Sequence, residues 1–536
     1  MRQVPIYAWA WVSNLKGGNM KHSWIRLLPG CLSIFILLIS RPLVAEATMP
    51  KTVIATTLTR AAPQTMDFSV NVKASCRADI SALNSRADSP AAPVEAGVYQ
   101  WHTFYGSVTN DYGFSIAVDD NGGVYITGVS VVTRDGPASQ APLHAFSGIT
   151  DLFVLKLDAA GAYQWHTFYG NDTVGSGIAL DSSGGVYISA YSRSSWDGPT
   201  GQGPLHGYSD SYDIVVLKLD ATGAYQWHTF YGSTSADNGY ALAVDSNGDV
   251  YITGNSSASW DGPASQAPLQ TFHGSTDIFA LKLTAGGAYQ WHTFYGYNAA
   301  GIGIAVDSNG YVYVSGSSNG LWLGPTGQGP LNEYNGLEDI FVLELDPAGA
   351  YQWHTFYGSN YDDYVNGLAM DGSGGIYMTG TSIFLWNGPA GQEPKHAYNQ
   401  GYDIFVLKLD AAGAYQWHTF YGTTGSDAGN GIAVDNNGAV YITGNYGANA
   451  SIVVFKFDTA GANQWVNTYG ICFDEGRGIA VDNSGRVYIT GTSQCSWNGP
   501  YGQAPQHAYI SQDIFVLKLQ NISGTIDSEF LPLLIK

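Results

Sequence analysis

Five tryptophans recur in one short frame, Trp-x-Gly-Pro, which is followed by Gln-x-Pro and then by an aromatic residue. An indole face stacks on the C–H face of a sugar, and nearby glutamine or aspartate supplies partners for the hydroxyls. The pattern suggests a glycan-binding surface, but the same regular repetition is expected if each tryptophan folds back to cap its own repeat. The predicted ligand-binding residues are Trp196, Trp260, Trp322, Trp386, Trp497, Tyr208, Tyr398 and Tyr509.

Two further residue types could carry chemistry, cysteine and aspartate. Cys472 and Cys495 both fall in the last repeat, where an oxidising compartment would favour a disulfide. Acids in the connections between repeats are candidates for holding a cation such as Ca²⁺, whereas solvated turn residues are the plainer interpretation. No other cofactor is expected. These acids are Asp111, Asp237, Asp362, Asp363, Asp427 and Asp474.

Catalytic motifs give no assignment. The chain has no His-Glu-x-x-His, phosphate loop or paired Cys-x-x-Cys. Six histidines recur once per repeat, which disperses them too widely to share one metal, so they are predicted to be structural. A binding scaffold is therefore favoured over an enzyme, and a hydrolase or lyase on the loop-rich rim remains the alternative. The six are His102, His166, His228, His292, His354 and His418.

One repeated unit must position all of these residues. The segment Gln-Trp-His-Thr-Phe-Tyr-Gly begins at Gln100 and returns five times unchanged, then once in eroded form at Gln464. Each unit contains four strand-like runs and an Asp-x-x-Gly frame, which predicts a type I turn closed by glycine at positive φ. The chain is therefore predicted to be all-β, a seven-bladed β-propeller of four-stranded antiparallel blades. The last unit stops after its third strand near Leu519, so the N-terminal strand, Val98 to Tyr105, is expected to close the last blade.

The first hundred residues differ from the repeats. Lys21, His22 and Arg26 precede an apolar run from Leu27 to Ile39, and Ala45-Glu46-Ala47 resembles a cleavage site. These features predict a signal peptide over 1–47, whose true start is expected at Met20, then a disordered linker over 48–95. The propeller is predicted over 96–520 and a tail over 521–536. The apolar run is shorter than the roughly 20 residues that span a bilayer, so no transmembrane span is expected in the mature form.

Charge limits the range of partners. The chain has 43 acidic and 22 basic side chains, a formal net charge of −21. Nucleic acid is bound mainly through lysine and arginine, so a nucleic-acid partner is not expected. The predicted partner is a glycan or a surface protein, and the protein is expected to be a monomer that is secreted or held at the cell surface.

The repeat also resembles a known family. Its three recurring pieces are Tyr-x-Trp-x-Thr-x-Tyr-Gly, Gly-Ile-Ala-Val-Asp-x-x-Gly-x-Val-Tyr-Ile-Thr-Gly and Asp-Ile-Phe-Val-Leu-Lys-Leu-Asp. In this order they are similar to the bacterial SBBP family of seven-bladed β-propeller repeats, over roughly residues 98 to 519. The resemblance implies a secreted or surface propeller and brings no catalytic residues. Leu409 to Trp417 is also similar to the tryptophan docking segment of quinoprotein dehydrogenases, but those enzymes have eight blades and a calcium site.

Overall fold

The Asp-x-x-Gly frame forms the predicted turn in every repeat. In the first repeat, the backbone amides of Asn121 and Gly123 donate to Oδ1 of Asp119 at 3.0 and 2.7 Å, and Gly122 has φ of 81°. A side chain at this φ would meet a steric penalty that glycine avoids. The equivalent glycines also have positive φ, which confirms the turn: Gly184, Gly248, Gly310, Gly374, Gly438 and Gly485.

The computed structural model describes residues 8–16, 19–27, 96–448 and 450–522. They belong to two units, Met1–Asp88 and Ser89–Lys536. In the first unit, strands β1 (Ala8–Lys16) and β2 (Asn19–Leu27) pair antiparallel. The predicted cleavage site, the linker over 48–95 and the tail beyond Ile522 lie outside the described residues. None of the described residues belongs to a helix long and apolar enough to cross a membrane.

The second unit is a ring of seven antiparallel four-stranded sheets, which confirms the predicted all-β propeller. Blade 1 contains β4 (Asp111–Val118), β5 (Val124–Ser130), β6 (Asp151–Leu157) and β7 (Tyr163–Tyr169). Blade 2 contains β8 (Thr173–Leu180), β9 (Val186–Ser192), β10 (Asp213–Leu219) and β11 (Tyr225–Tyr231). Blade 3 contains β12 (Asp237–Val244), β13 (Val250–Ser256), β14 (Asp277–Leu283) and β15 (Tyr289–Tyr295). Blade 4 contains β16 (Ala299–Val306), β17 (Val312–Ser318), β18 (Asp339–Leu345) and β19 (Tyr351–Tyr357).

The remaining blades follow the same plan. Blade 5 contains β20 (Asp363–Met370), β21 (Ile376–Ser382), β22 (Asp403–Leu409) and β23 (Tyr415–Tyr421). Blade 6 contains β24 (Ala428–Val434), β25 (Val440–Tyr446), β26 (Ser451–Phe457) and β27 (Asn463–Tyr469). Blade 7 contains β28 (Glu475–Val481), β29 (Arg486–Ser493), β30 (Asp513–Ile522) and β3 (Ala96–Tyr105).

Blade 7 takes its fourth strand from the other end of the propeller sequence. Strand β3 pairs antiparallel with β30, from Ala96 opposite Ile522 to Tyr105 opposite Ile514. Because β30 continues to Ile522, the strand extends two residues beyond the boundary predicted at residue 520. The pairing covers the edge of β30 that would otherwise present unpaired backbone groups.

Apolar side chains fill the space between neighbouring blades. The third strand of each blade is almost entirely buried, since both of its faces are covered. Each outer strand also contributes a tryptophan that packs on the next blade. Trp291 of β15, for example, lies against Gly349, where a Cβ atom would come within 2.8 Å of the indole. The glycine is therefore required twice, by its φ of 84° and by the indole.

Candidate functional site

One edge of the ring carries the longer connections, and we call it the loop rim. Here the second strand of each blade passes to the third, and here the chain crosses to the next blade. Blade 6 is the exception, because only residues 447–450 separate β25 from β26. The loop rim is therefore lower at blade 6. Beside this low side, a disulfide joins Cys472 to Cys495, with Cα atoms 5.9 Å apart.

The loop-rim tryptophans lie beneath the surface, each in its own blade. Trp322 is 6% exposed and stacks on His354, with ring centroids 3.9 Å apart and an interplanar angle of 16°. Its edge also contacts Phe356. This packing favours the capping interpretation over sugar binding, because an indole already covered by its own blade does not present a face to a ligand. The other four are equally covered, at 9% for Trp196, 5% for Trp260, 5% for Trp386 and 4% for Trp497.

The three tyrosines named with them also contact their own blades. The hydroxyl of Tyr208 lies 2.7 Å from the carbonyl oxygens of both Arg193 and Ser211 and donates its one hydrogen to either. Tyr398 makes the matching bonds to the carbonyl oxygens of Ile383 and Gly401. Tyr509 packs edge-on against Phe104, with ring centroids 5.6 Å apart. The eight predicted ligand-binding residues are thus distributed over five blades and are not gathered into one site.

The recurring histidines hold these loops in place. In blade 4, Nε2 of His354 donates to the carbonyl oxygen of Trp322 at 3.1 Å, and Nδ1 accepts from the hydroxyl of Tyr351 at 2.7 Å. Burial lowers the pKa of His354 to about 4, although the bond to the Trp322 carbonyl opposes the shift. The imidazole is therefore neutral at physiological pH. The same contacts recur at the other five copies, which supports their predicted structural role.

Blade 1 replaces the tryptophan with Arg134, a substitution that the sequence prediction passed over. The carbonyl oxygen of Arg134 accepts from Nε2 of His166 at 2.9 Å, as the tryptophan carbonyl does elsewhere. Its buried guanidinium lies 4.7 Å from the ring centroid of Phe153 and pairs with Asp111 at 2.9 Å. The frame Arg-Asp-Gly-Pro in place of Trp-x-Gly-Pro was the available signal. A cation thus occupies the place of an indole and neutralises a buried carboxylate.

The acids at the blade starts are buried, so the expectation that they are solvated turn residues is wrong for five of the six. Asp237 is fully buried, and its carboxylate accepts from the hydroxyl of Ser256 and from the backbone amide of Ser233. Asp111, Asp363 and Asp474 make equivalent contacts. Asp427 accepts from the backbone amides of Thr423 and Gly447. Of the six, only Asp362 is partly exposed. The described residues contain no group of three or more side chains suited to hold a metal.

A second series of aspartates, at the start of the third strands, escaped the sequence prediction. Asp339 is fully buried, and its Oδ2 accepts from the backbone amide of Asn335 at 2.6 Å, while Oδ1 has no partner among the described residues. Burial, with the nearby charge of Asp363, raises the pKa of Asp339 to about 7. The same unpartnered oxygen occurs in Asp151, Asp213 and Asp403. Ionisation of these carboxyls therefore lowers the stability of the folded protein.

The centre of the ring is a channel whose lining differs from blade to blade. Its cavity measures about 370 Å³ and is lined by the first strand of every blade. Each of these strands has a β-bulge, and the extra residue of each bulge lines the channel. Bulges often re-aim a side chain beside a functional site. We call the seven extra residues the bulge ring: Phe114, Ser176, Tyr240, Ile302, Asn366, Asn430 and Arg477.

The bulge ring is polar on one side, and there the channel opens toward the loop rim. A second cavity of about 380 Å³ is lined by Phe114, Asn366, Asn430, Asn445, Glu475 and Arg477, and we call it the channel mouth. Arg477 pairs with Glu475 at 2.5 Å, and its guanidinium lies 5.0 Å from the ring centroid of Phe114. The polar residues come from blades 5, 6 and 7, so they flank the low side of the loop rim.

Sequence reasoning did not find this site, although a signal was present. The bulge residue is preceded by glycine in six of seven blades and followed by a small residue in all seven, yet it is itself a different type in most of them. Because this position varies while its neighbours repeat, the fold of the repeat does not require a particular side chain there. Only the channel geometry shows that the seven varied side chains face one another.

These features define the protein as a seven-bladed β-propeller with a central channel. Four stretches match the family model SBBP, described as a beta-propeller repeat, at residues 226–259, 290–321, 352–384 and 474–494. The chain therefore carries SBBP repeats, as the sequence resemblance implied.

Two curated proteins share shorter regions of similarity. A WD repeat-containing protein, L264 of Acanthamoeba polyphaga mimivirus, is uncharacterized and 29% identical over 126 residues, which covers 21% of this chain and 9% of that protein. The regulatory protein FlaEY of Caulobacter vibrioides is 25% identical over 244 residues, 44% of this chain and 24% of that protein. This chain thus spans less than a quarter of the length of either relative.

Solved structures resemble the chain at low identity. A streptogramin B lyase is 12% identical with a TM-score of 0.40, covering 78% of this chain and 98% of that one. The polysaccharide lyase Uly1 is 10% identical with a TM-score of 0.40, covering 82% and 94%. The WD40 domain of Neurospora crassa Pan2 is 11% identical with a TM-score of 0.38, covering 82% and 100%.

Proposed function

We propose that this protein is a secreted or cell-surface binding scaffold whose ligand, a glycan or a surface protein, is bound at the channel mouth on the loop rim. The bulge ring carries the proposal. The repeat keeps nearly the same residues on both sides of this position, while the position itself changes in character around the ring. Variation confined to the lining of one cavity is the pattern expected of a recognition surface built on a conserved frame.

The groups that line the channel mouth and the size of the cavities also support this proposal. The channel mouth combines three amides, an ion pair and an aromatic ring within one concave surface. The cavities fall within the range of about 300–1,000 Å³ that is typical of small-molecule sites. Secretion is proposed from the basic, apolar and small-residue segments that end near Ala47.

Purified full-length protein should be tested on arrays of glycans and of purified bacterial surface proteins. The double variant Asn366→Ala/Arg477→Ala should lose the binding, whereas Leu323→Ala, which alters an exposed loop-rim side chain, should retain it. Equal binding by both variants would contradict a site at the channel mouth. Mass spectrometry of the ligand after prolonged incubation distinguishes a scaffold from a hydrolase or lyase, since a scaffold returns the ligand unchanged.

Localisation can be tested separately. A C-terminally tagged copy expressed in a bacterial host should be found in the exported or surface fraction, and its N-terminus should begin after Ala47. Retention of the intact precursor in the cytoplasm would contradict the proposed secretion.

A further inference from the structure

The channel mouth offers fixed hydrogen-bonding groups of both kinds. The amide nitrogen of Asn366 donates to the carbonyl oxygen of Gly429 at 3.0 Å. That of Asn430 donates to the carbonyl oxygen of Gly476 at 2.8 Å and to Oδ1 of Asn445 at 3.3 Å. These bonds tie both amides to neighbouring backbone and orient them. Neither Oδ1 atom has a hydrogen-bond partner among the described residues, so both are available as acceptors.

Arg477 supplies the donors. One of its terminal nitrogens is held by Glu475, and the ring of Phe114 lies beside the guanidinium, so the group is fixed although it is 35% exposed. Its Nε is buried and has no acceptor among the described residues. A buried donor without a partner costs about 1–3 kcal/mol, more when the group is charged. Because Nε is shielded, a ligand would reach only the exposed part of the Arg477 side chain.

The balance of charge narrows the class of ligand. Glu475 neutralises Arg477, so the ion pair adds no net charge to the channel mouth, and the chain as a whole carries −21. A carboxylate or sulfate accepts hydrogen bonds but cannot donate them, and it would face the two asparagine oxygens and Glu475. A neutral hydroxyl both donates and accepts, so it suits a wall on which acceptors and donors adjoin.

The wall opposite these polar residues contains an aromatic side chain, Tyr240. In a ring of seven, blade 3 lies across from blades 6 and 7, which places Tyr240 opposite Asn430 and Arg477. Burial raises the pKa of Tyr240, so its hydroxyl stays neutral. An aromatic ring across from polar groups matches the two faces of a sugar ring, one bearing C–H groups and the other hydroxyls.

We infer that the ligand of the channel mouth is a neutral saccharide that extends into the channel, with vicinal hydroxyls on the wall of Asn366, Asn430 and Arg477 and its C–H face toward Tyr240. This inference rests on the proposed binding function and specifies its ligand class. A protein ligand at the same residues would satisfy the proposed function and contradict the inference.

The experiment uses titration calorimetry on the full chain. The probes are glucose, galactose, mannose, N-acetylglucosamine and their disaccharides, with glucuronate, galacturonate and heparin as anionic comparisons. We expect at least one neutral saccharide to bind, with affinity nearly unchanged between about 0.05 and 0.5 M salt, because screening acts on charges. Tighter binding of an anionic probe would overturn the inference.

Two pairs of variants test the assigned contacts. Arg477→Lys keeps the charge but loses the planar donors, so it should weaken a neutral saccharide at least tenfold, whereas recognition of an anion would largely survive. Tyr240→Ala should weaken binding at least tenfold, and Tyr240→Phe, which keeps the ring, should stay within about threefold. Melting temperatures near that of the unmodified protein establish that each variant is folded, and Leu323→Ala is the control on the loop rim.

The outcomes separate the two proposals. If no saccharide binds but a surface protein does, and Arg477→Lys or Tyr240→Ala abolishes that binding, the saccharide inference fails and the binding function stands. If saccharides bind but all variants bind alike, the channel mouth is the wrong site and both fail. If neither arrays nor titrations yield a ligand, both are likewise contradicted.

Discussion

Truncation of Trp322 to alanine tests whether the loop-rim indoles are structural. The side chain is 6% exposed and stacks on His354. A buried tryptophan removes about 150–250 Å² from water, which at about 25 cal/mol per Å² corresponds to about 4–6 kcal/mol. Measured aromatic-to-alanine changes in cores cost about 3–5 kcal/mol. We therefore expect Trp322→Ala to lower the free energy of unfolding by about 4 kcal/mol.

The assay is thermal and urea unfolding beside a matched control. With an unfolding entropy of about 2.1 cal/mol/K per residue, a ring of about 430 residues should lose about 4 °C in melting temperature. Leu323→Ala removes the next side chain, which is 55% exposed, and should change the melting temperature by less than about 1 °C. If the indole instead served a ligand at the surface, both variants would melt like the unmodified protein.

A second readout comes from the imidazole beneath the indole. Burial holds the pKa of His354 at about 4, below its ordinary value of 6.5. Removal of the indole lets water reach the ring, so the pKa should rise toward 6.5 and the titration should be visible by NMR. A variant that melts within 1 °C of the unmodified protein and leaves the His354 titration in place would refute the packing described for this loop.

Three further outcomes are expected. Gly349→Ala should lower the free energy of unfolding by at least about 1–2 kcal/mol, because φ is 84° and the new Cβ would lie 2.6 Å from Leu269. Gly329→Ala is the control and should cost less, because its Cβ would have no atom within 4 Å. Equal melting temperatures of the two variants would contradict the turn. Replacing Cys472 and Cys495 together by serine should cost about 3 kcal/mol for a loop of this length, and alkylation of both cysteines in the unreduced protein would exclude the disulfide. Asp339 binds a proton more readily folded than unfolded, since burial raises its pKa from 3.8 to about 7, so its contribution to stability is lost as pH rises through that interval. Asp339→Asn should therefore gain about 3 kcal/mol relative to the unmodified protein between pH 5 and pH 8 in urea unfolding. A pH-independent difference would contradict the raised pKa of Asp339.

The turns and the number of blades could be predicted because their causes are local. Asp119 accepts two amides within four residues, and Gly122 takes its positive φ inside the same turn. Such bonds recur wherever the short frame recurs, so seven copies of the frame predicted seven hairpins. The recurring histidines were predicted to be structural for a related reason, since one per repeat cannot converge on one metal.

The candidate site could not be predicted in the same way. Which side chains are buried, and which lie across the channel from each other, depends on residues far apart in the chain. Trp322 read alone fits a sugar platform equally well, and only packing against β18 and β19 covers it. In the sequence, Asp237 has the character of a solvated turn residue, but in the folded ring it is fully buried. Tyr240 and Arg477 are separated by more than three repeats. The sequence by itself determined the hairpins, their number and the strand pattern; only closure of the ring, which brings first strands together around one axis, decided which side chains are buried and which line the channel.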